Sequence, residues 1–516
     1  MKKALIAILA IFLIHSSMMA QKKINNVIKV NPSNIRAIKG NNDVKGYYMF
    51  YKADKLKSKD YSYKLVIFDE NTEKVATKTL IASKYFHLLE SSYNQNRLCF
   101  KFYDVKEKMV SLIFYDNEGN KVDTEKYEAR KIEKKMILFS INGETKMTPS
   151  IIPVGNIGFL EYRMVKNNSD GYILTYYSND GKKSSWETKS DENAEESQTL
   201  GPLSATEDLV TSLLATKPSR MSRDIRFFVV GTDITNGKET FRYEVKSSKY
   251  QESPINAIYN KKTNKINLLS YYFSKDENMM NGRSIGIANT ELSTDGKELS
   301  KKYISWKKDV ASTLAVNQHN KFDDIGFLFF HEFVRAENGK IYGIGESFRR
   351  ANKGSNTALK ALAAASGDAS GLAYMTVEIG DFYLFEFDSE FNFQKVEIVE
   401  KSASKYDLPA WGAAPIMLGY VANAYGCFDF SGLKTINQGK SFVLFYQNYE
   451  KRKKEKNRSV AGVISNTGGE YVTDKLDIDT EADFIRVLPA QGANILFVEF
   501  FKKEKRIEMN MKKMNY

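Results

Sequence analysis

Cysteine is nearly absent: Cys99 and Cys427 are the two in 516 residues. Neither has a second thiol or a histidine at ligand spacing, so a cysteine-held metal is not indicated. An exported chain could bridge them, but they stand in well-separated repeat units, and two buried free thiols are the expectation. Histidine is as scarce. Beyond residue 20 there are His87, His319 and His331, which argues against a multi-histidine metal site; no metal and no other cofactor is expected. A Gly-rich phosphate loop, a nucleophile elbow and a His-Glu-x-x-His motif are all missing. Beyond residue 20 no apolar run has the length and uniformity of a membrane helix.

What is present begins with the N-terminus. Met1-Lys2-Lys3 precedes the apolar stretch ALIAILAIFLI (4–14), and SSMMA (16–20) ends on Ala20. This is the pattern of a secretory signal peptide, residues 1–20, cut before Gln21, although Met18 is larger than the residue usual at that place. The mature chain, 21–516, is therefore expected to be exported to the periplasm, the cell surface or the medium. The formal net charge is +13, and +11 remains without Lys2 and Lys3. For an exported protein that points away from nucleic acid and toward an envelope protein or an anionic polysaccharide; plain solubility is the simpler reading.

Tyr and Phe are abundant, 30 and 32 residues, and such residues favour pleated, half-buried surfaces. They recur in units of two to four strands. Units one to three cover 46–53, 61–69 and 74–80; 97–104, 109–116 and 120–127; and 158–165, 171–178 and 182–188. Units four and five cover 224–233 and 238–245; and 264–273, 283–292 and 297–306. Unit six covers 325–335, 340–348, 382–388 and 393–400, and unit seven covers 441–449, 459–465 and 470–476. A short last unit covers 494–501 and 505–511. Asp-Gly or Asn-Gly stands at 180–181, 236–237, 295–296 and 338–339, where two-residue hairpin turns are predicted. Units of this kind, each a small antiparallel sheet unable to bury both faces alone, predict an all-β fold, a β-propeller. Seven blades are favoured, with eight as the alternative, and INNVIKV (24–30) is available to complete the last one. Two β-sandwich domains are the competing architecture.

In pattern the chain resembles secreted β-propeller repeat proteins, over nearly all of the mature sequence. No blade carries a Trp-Asp signature. Ser178, Asp180, Gly181 and Trp186 look similar to the Asp box of sialidase-type propellers, but Asp180 and Gly181 are adjacent and Trp186 falls two positions late. Ser293, Asp295 and Gly296 depart in the same way.

Unit six is interrupted by an apolar insertion, 349–381, in which ALKALAAAS (358–366) reads as a short helix capped by Asn356 or Thr357 and stopped at Gly367. It is followed by an uncharged connector, LPAWGAAPIMLGYVANAYGCF (408–428). The two segments are expected to form either an interaction face or a cap folded back on the propeller. A two-residue turn at Asn338-Gly339 would set His331 opposite Glu346, Phe329 opposite Phe348 and Glu332 opposite Gly345. His331, Glu332 and Glu346 are thus candidate catalytic groups, since a carboxylate beside a histidine makes a proton-transfer couple; a satisfied polar pair within a blade is the plainer reading. Arg349, Arg350 and Trp411 are candidate ligand-binding residues. EKRKKEKNR (450–458) and KSDENAEES (189–197) read as solvated loops. The leading expectation is an exported propeller that binds, a scaffold or ligand module of the cell envelope acting through the unit-six insertions. The alternative is a glycan hydrolase, whose pair of carboxylates would come from Glu332, Glu346, Asp323 and Asp324.

Overall fold

In the computed structural model the chain forms eight antiparallel sheets, seven of four strands and one of five, the blades of a β-propeller. The structure describes residues 22–515 except 41–42, 58, 142–148, 165–170, 190–196, 208, 218–224, 278, 280–281, 315–326, 352–373, 410–414, 437–439, 451–457 and 468. The leader-like segment 1–20, helix 358–366 and Trp411 lie outside the described residues.

Eight blades replace the favoured seven because the short last unit is a full blade. Phe484–Pro489, Asn494–Phe501 and Arg506–Lys513 are its first three strands, and Lys22–Ile24 from the N-terminus is its fourth. Lys23 pairs with Glu508 in register and binds its carboxylate at 3.1 Å, so the two chain ends close the ring. The completing strand is thus 22–24 and not 24–30. Lys29–Lys39 instead opens blade 1.

The first strand of each blade lines the axis. First strands of neighbouring blades touch from blade 7 through 8, 1, 2, 3, 4 and 5 to 6. Each is a sheet edge, where a missing N–H costs no ladder bond. Pro32, Pro153, Pro202, Pro254 and Pro489, five of the nine prolines, sit in these strands. Bulges interrupt several of them, at Val30/Ile35, Leu88/Glu90, Pro202/Ser204 and Pro254/Asn256. The middle strands are buried almost throughout, as in Leu98–Tyr103 and Phe442–Tyr446. Outermost strands alternate exposed and half-covered residues, as Lys74–Ala82 and Glu470–Ile478 do.

At Gly181, Gly296 and Gly339 the hairpin is a three-residue loop, not the predicted two-residue turn, and at Asn236-Gly237 the loop has four residues, closed by Asp233 N donating to Lys238 O at 2.9 Å. In the third-to-fourth-strand turn of blade 3, Ser178 N donates to Lys182 O at 2.9 Å and Gly181 N donates to Ser178 O at 3.2 Å. Gly181 sits at φ +87°, the left-handed position that ends such a loop. The same pair of bonds recurs at Asp69/Glu73, Asp116/Asn120, Ser293/Lys297, Ala336/Lys340 and Asp388/Asn392. Where Asp leads, its carboxylate caps the loop: Asp69 Oδ1 accepts from Asn71 N at 2.9 Å and Glu73 N at 2.7 Å. Asp-Gly here is the tail of a turn motif and not an Asp box.

Blade 6 departs from the others. Its third strand, Tyr374–Phe387, pairs with Phe393–Val399 at one end and with an additional strand, Ser404–Pro409, at the other. Of the expected insertion, 349–350 pair with 377–378 and 374–376 pair with 407–409, while 352–373 lie outside the described residues. The connector is partly helical. Helix α2, Pro415–Ala424, follows α1, Lys131–Ile141, and folds back on the blade-6 extension. Leu418 and Ala422 are buried there with Phe348, Val377, Ile379, Leu408, Cys427 and Phe428. A Cβ at Gly419 would stand 2.8 Å from the Phe348 ring and 3.1 Å from that of Phe329. The glycine thus permits the helix to seat. Cys99 and Cys427 are both buried and form no disulfide.

Candidate functional site

His331 and Glu346 do meet, by a different geometry from the one expected. The loop at 337–339 has three residues, so Arg335 pairs with Ile341 and Glu332 with Ile344. A bulge then falls at His331, between the pairs Glu332–Ile344 and Phe330–Gly345, and Phe329 lies opposite Glu346. The extra residue turns the imidazole onto the neighbouring carboxylate, and His331 Nε2 lies 3.0 Å from Glu346 Oε2. An ionised carboxylate only accepts, so Nε2 carries the hydrogen and donates. The ring is fixed by aromatics: it stacks on Phe430 at 4.6 Å and meets the edges of Phe428 at 4.9 Å and Phe329 at 5.2 Å.

Two groups beyond that pair complete the cluster. Lys401, just after the fourth strand of blade 6, places Nζ 2.9 Å from Glu346 Oε1 and 2.6 Å from Asp429 Oδ2. Asp429 precedes the first strand of blade 7, and its backbone N donates to Glu346 Oε1 at 3.1 Å. Phe430 N donates to Oε2 at 3.4 Å. Glu346, wholly buried, therefore ties blade 6 to the first residues of blade 7.

The two carboxylates titrate in opposite directions. Burial pushes Glu346 up, but Lys401 and the His331 bond outweigh it and hold the group below its ordinary value. Asp429 is raised to about 7, by burial first and by the charge of Glu346, against the pull of Lys401. Lys401 is held above its ordinary value: burial lowers it, and the two carboxylates more than reverse that. The donor count explains the split. Glu346 accepts from His331, Lys401 and two backbone amides, whereas Lys401 is the hydrogen-bond donor to the Asp429 carboxylate.

Beside the cluster lies an apolar cavity of about 130 Å³ between blades 5 and 6, under α2. Tyr271, Phe273, Phe329, Phe330, Phe348 and Tyr420 line it. Phe329 is shared, with one edge on His331 and its ring 5.7 Å from that of Tyr420. Tyr420, 42% exposed, stands at the rim.

The other sequence candidates are not gathered here. Glu332 faces Ile344, half-buried, outside the cluster. Arg349 and Arg350 are exposed, and Arg349 Nε binds Glu378 at 3.0 Å. Asp323 and Asp324 lie outside the described residues. Lys401 and Asp429 were missed. For Asp429 a signal existed: it is an acid set between Phe428 and Phe430 at the end of 21 uncharged residues.

Eight blades closed by a strand from the other end of the chain define the class, a β-propeller. The chain belongs to the family of unknown function DUF6770, whose model matches residues 1–515. No curated protein matches it by sequence. Among solved structures it is similar to the β-propeller domain of the trilobed protease from Pyrococcus furiosus, at 9% identity and TM-score 0.39, over 85% of this chain and 94% of that one. It is similar to the WD40 domain of SCAP from fission yeast, at 9% identity and TM-score 0.25, over 84% and 97%. Prolyl oligopeptidase B from Galerina marginata matches at 8% identity and TM-score 0.32, over 83% of this chain and 46% of that one. The chain thus spans about half the length of that enzyme. Nothing of these proteins' chemistry transfers at such distances.

Proposed function

We propose that this propeller is an exported binding or scaffold module of the cell envelope, with the extended blade 6 and α2 as its contact face. The observation that carries the reading is the apolar cavity under α2. Among the described residues blade 6 alone adds a fifth strand, and the helix returning over it leaves about 130 Å³ open beside Tyr420. Apolar cavities of that order stay dry and accept a benzene-sized group, and ligand sites are commonly apolar hollows with few polar groups. The occupant fits as an aromatic or branched side chain of an envelope protein. The leader pattern of residues 1–20 supports export, and the positive charge suits an acidic envelope surface. The hydrolase reading gains no comparable support, since Glu346 is saturated by structural partners.

The test is a crosslinking pull-down from the protein's own cell envelope, run with the native chain and with Ile255→Phe, which grows into the cavity. One specific partner recovered with the native chain and lost with the variant is expected. The same partner recovered equally with both would remove the cavity from the interface, and no specific partner with either would remove the binding reading.

A further inference from the structure

Guanidinium groups away from solvent in this fold are generally spoken for. Arg163 forks onto Glu133 with bonds of 2.8 and 3.0 Å. Arg335 places its terminal nitrogens 3.4 Å from the carbonyls of Gly339 and Ser389 and 3.1 Å from Asn267 Oδ1. Arg486 is different. It lies half-buried in the first strand of blade 8; its Nε, like that of Arg335, is shielded from solvent with no hydrogen-bond partner, and among the described residues its terminal nitrogens bond no protein group either. Among the described residues no carboxylate pairs with it.

Across the ring closure the first strand of blade 8 touches that of blade 1, which carries Arg36. Arg36 Nε donates to Ser33 O at 2.9 Å, and among the described residues it too has no carboxylate. Burial first, and the charge of Arg36 second, pull Arg486 below its ordinary value. Tyr48 pairs with Arg36 in register, and both arginines act on its hydroxyl. That hydroxyl accepts from Ser91 Oγ at 2.7 Å, which leaves its own hydrogen to be donated. Glu90 is the acid in electrostatic reach of Tyr48. Its oxygens accept from Ile151 N at 2.6 Å and from Ser150 N at 3.0 and 3.2 Å, and among the described residues it forms no ion pair with either arginine.

We propose that the axis of the propeller, where blades 8, 1 and 2 meet, holds a binding site for a small oxyanion of the phosphate or carboxylate class, built from Arg36, Arg486 and the Tyr48 hydroxyl. Two neighbouring guanidinium groups repel each other when partly desolvated, and an oxyanion between them turns repulsion into two charge-assisted forks. The fork matches paired oxygens, which a spherical chloride lacks. This site is independent of the blade-6 reading.

The test is thermal unfolding of the mature chain in inorganic phosphate, acetate and chloride at matched ionic strength. A saturable rise in Tm is expected with phosphate or acetate beyond that with chloride, since a ligand bound by the folded state stabilises it by mass action; the more effective anion names the class. Arg486→Gln and Arg36→Gln should each weaken the apparent affinity at least ~10-fold, the loss of one charge-assisted fork. Arg486→Lys, which keeps the charge and the fold but lacks the fork, should weaken it too. Equal Tm in all three salts would overturn the proposal. So would an anion effect of unchanged midpoint in the variants.

Discussion

Two buried ion clusters occupy equivalent places at opposite sides of the ring, one between blades 2 and 3 and one between blades 6 and 7. Each uses a buried carboxylate to hold the first backbone N–H groups of the next blade. Glu90 accepts from Ser150 N and Ile151 N, and Glu346 accepts from Asp429 N and Phe430 N. Each also has a buried lysine: Lys101 binds Glu161 at 2.8 Å and Lys401 binds Glu346 at 2.9 Å. The difference lies in the second acid. Glu161 accepts from Lys101, Tyr127 OH at 2.5 Å and Tyr177 OH at 3.0 Å, and those bonds hold it below its ordinary value although burial pushes it up. Asp429 has no such set of hydroxyl donors around it and sits at about 7. In the first cluster burial raises Glu90, against the pull of Lys101 and of its bonds from Ser150 and Ile151. The second is a joint with a proton that comes and goes near neutrality.

The largest expected effect is the loss of either lysine. Removing one partner of a buried ion pair leaves an uncompensated charge, at a cost of about 3–5 kcal/mol. Lys101→Met should cost that much at pH 8, because it strands Glu161, which the lysine holds below its ordinary value. Lys401→Met should cost less at pH 5 than at pH 8, because Asp429 is then protonated and Glu346 alone is stranded. Urea unfolding of both variants at the two pH values measures this. A pH-independent cost for Lys401→Met would break the distinction between the clusters.

Next comes the titration itself. The folded-state value of Asp429, about 7, lies above its ordinary 3.8. Between the two the folded state holds a proton that the unfolded chain has released, so stability falls as pH rises through this window. The favourable contribution is fully present below 3.8 and lost above about 7. Glu346 works the other way: its folded-state value is depressed, so its contribution is present above the ordinary 4.5 and lost as pH falls through the folded value. Asp429→Asn keeps an acceptor for Lys401 and removes the first slope, up to about 1.4 kcal/mol per pH unit for one proton. Stability curves of the native chain and the variant should diverge between pH 4 and 7. Parallel curves would mean that Asp429 is ionised throughout.

The sequence made the blades legible because their middle strands are long, apolar and aromatic, as in RLCFKFYD and SFVLFYQNY. It hid the first strands of the blades other than the sixth, whose prolines and bulges are tolerated at a sheet edge and break the alternation that marks a strand. Without FIRVLP (484–489) the last unit looked incomplete, which is how eight blades read as seven. The His331–Glu346 contact was expected from a two-residue turn. It exists because a longer loop shifts the register and a bulge at His331 restores the meeting. Register depends on loop length and bulges together, and Asn-Gly alone does not distinguish the loop types. Lys401 and Asp429 come from segments outside the hairpin, so no pairing rule could bring them in.

The smallest expected effect tests whether burial, and not composition, separates these clusters from their surroundings. Glu378 on the blade-6 extension resembles Glu346 in having cationic partners on either side: Arg349 Nε at 3.0 Å and Lys405 Nζ at 3.1 Å. There the cation side chains are 55% and 57% exposed. Water solvates either partner once the other is gone, so exposed pairs contribute about 0–1 kcal/mol. Arg349→Ala should therefore change stability by less than about 1 kcal/mol and leave the pH profile between 4 and 7 as it is, while salt should erase even that difference. A cost near that of Lys401→Met would show that the extension is held by its charges and not by the Phe348–Leu408–Leu418 core beneath α2.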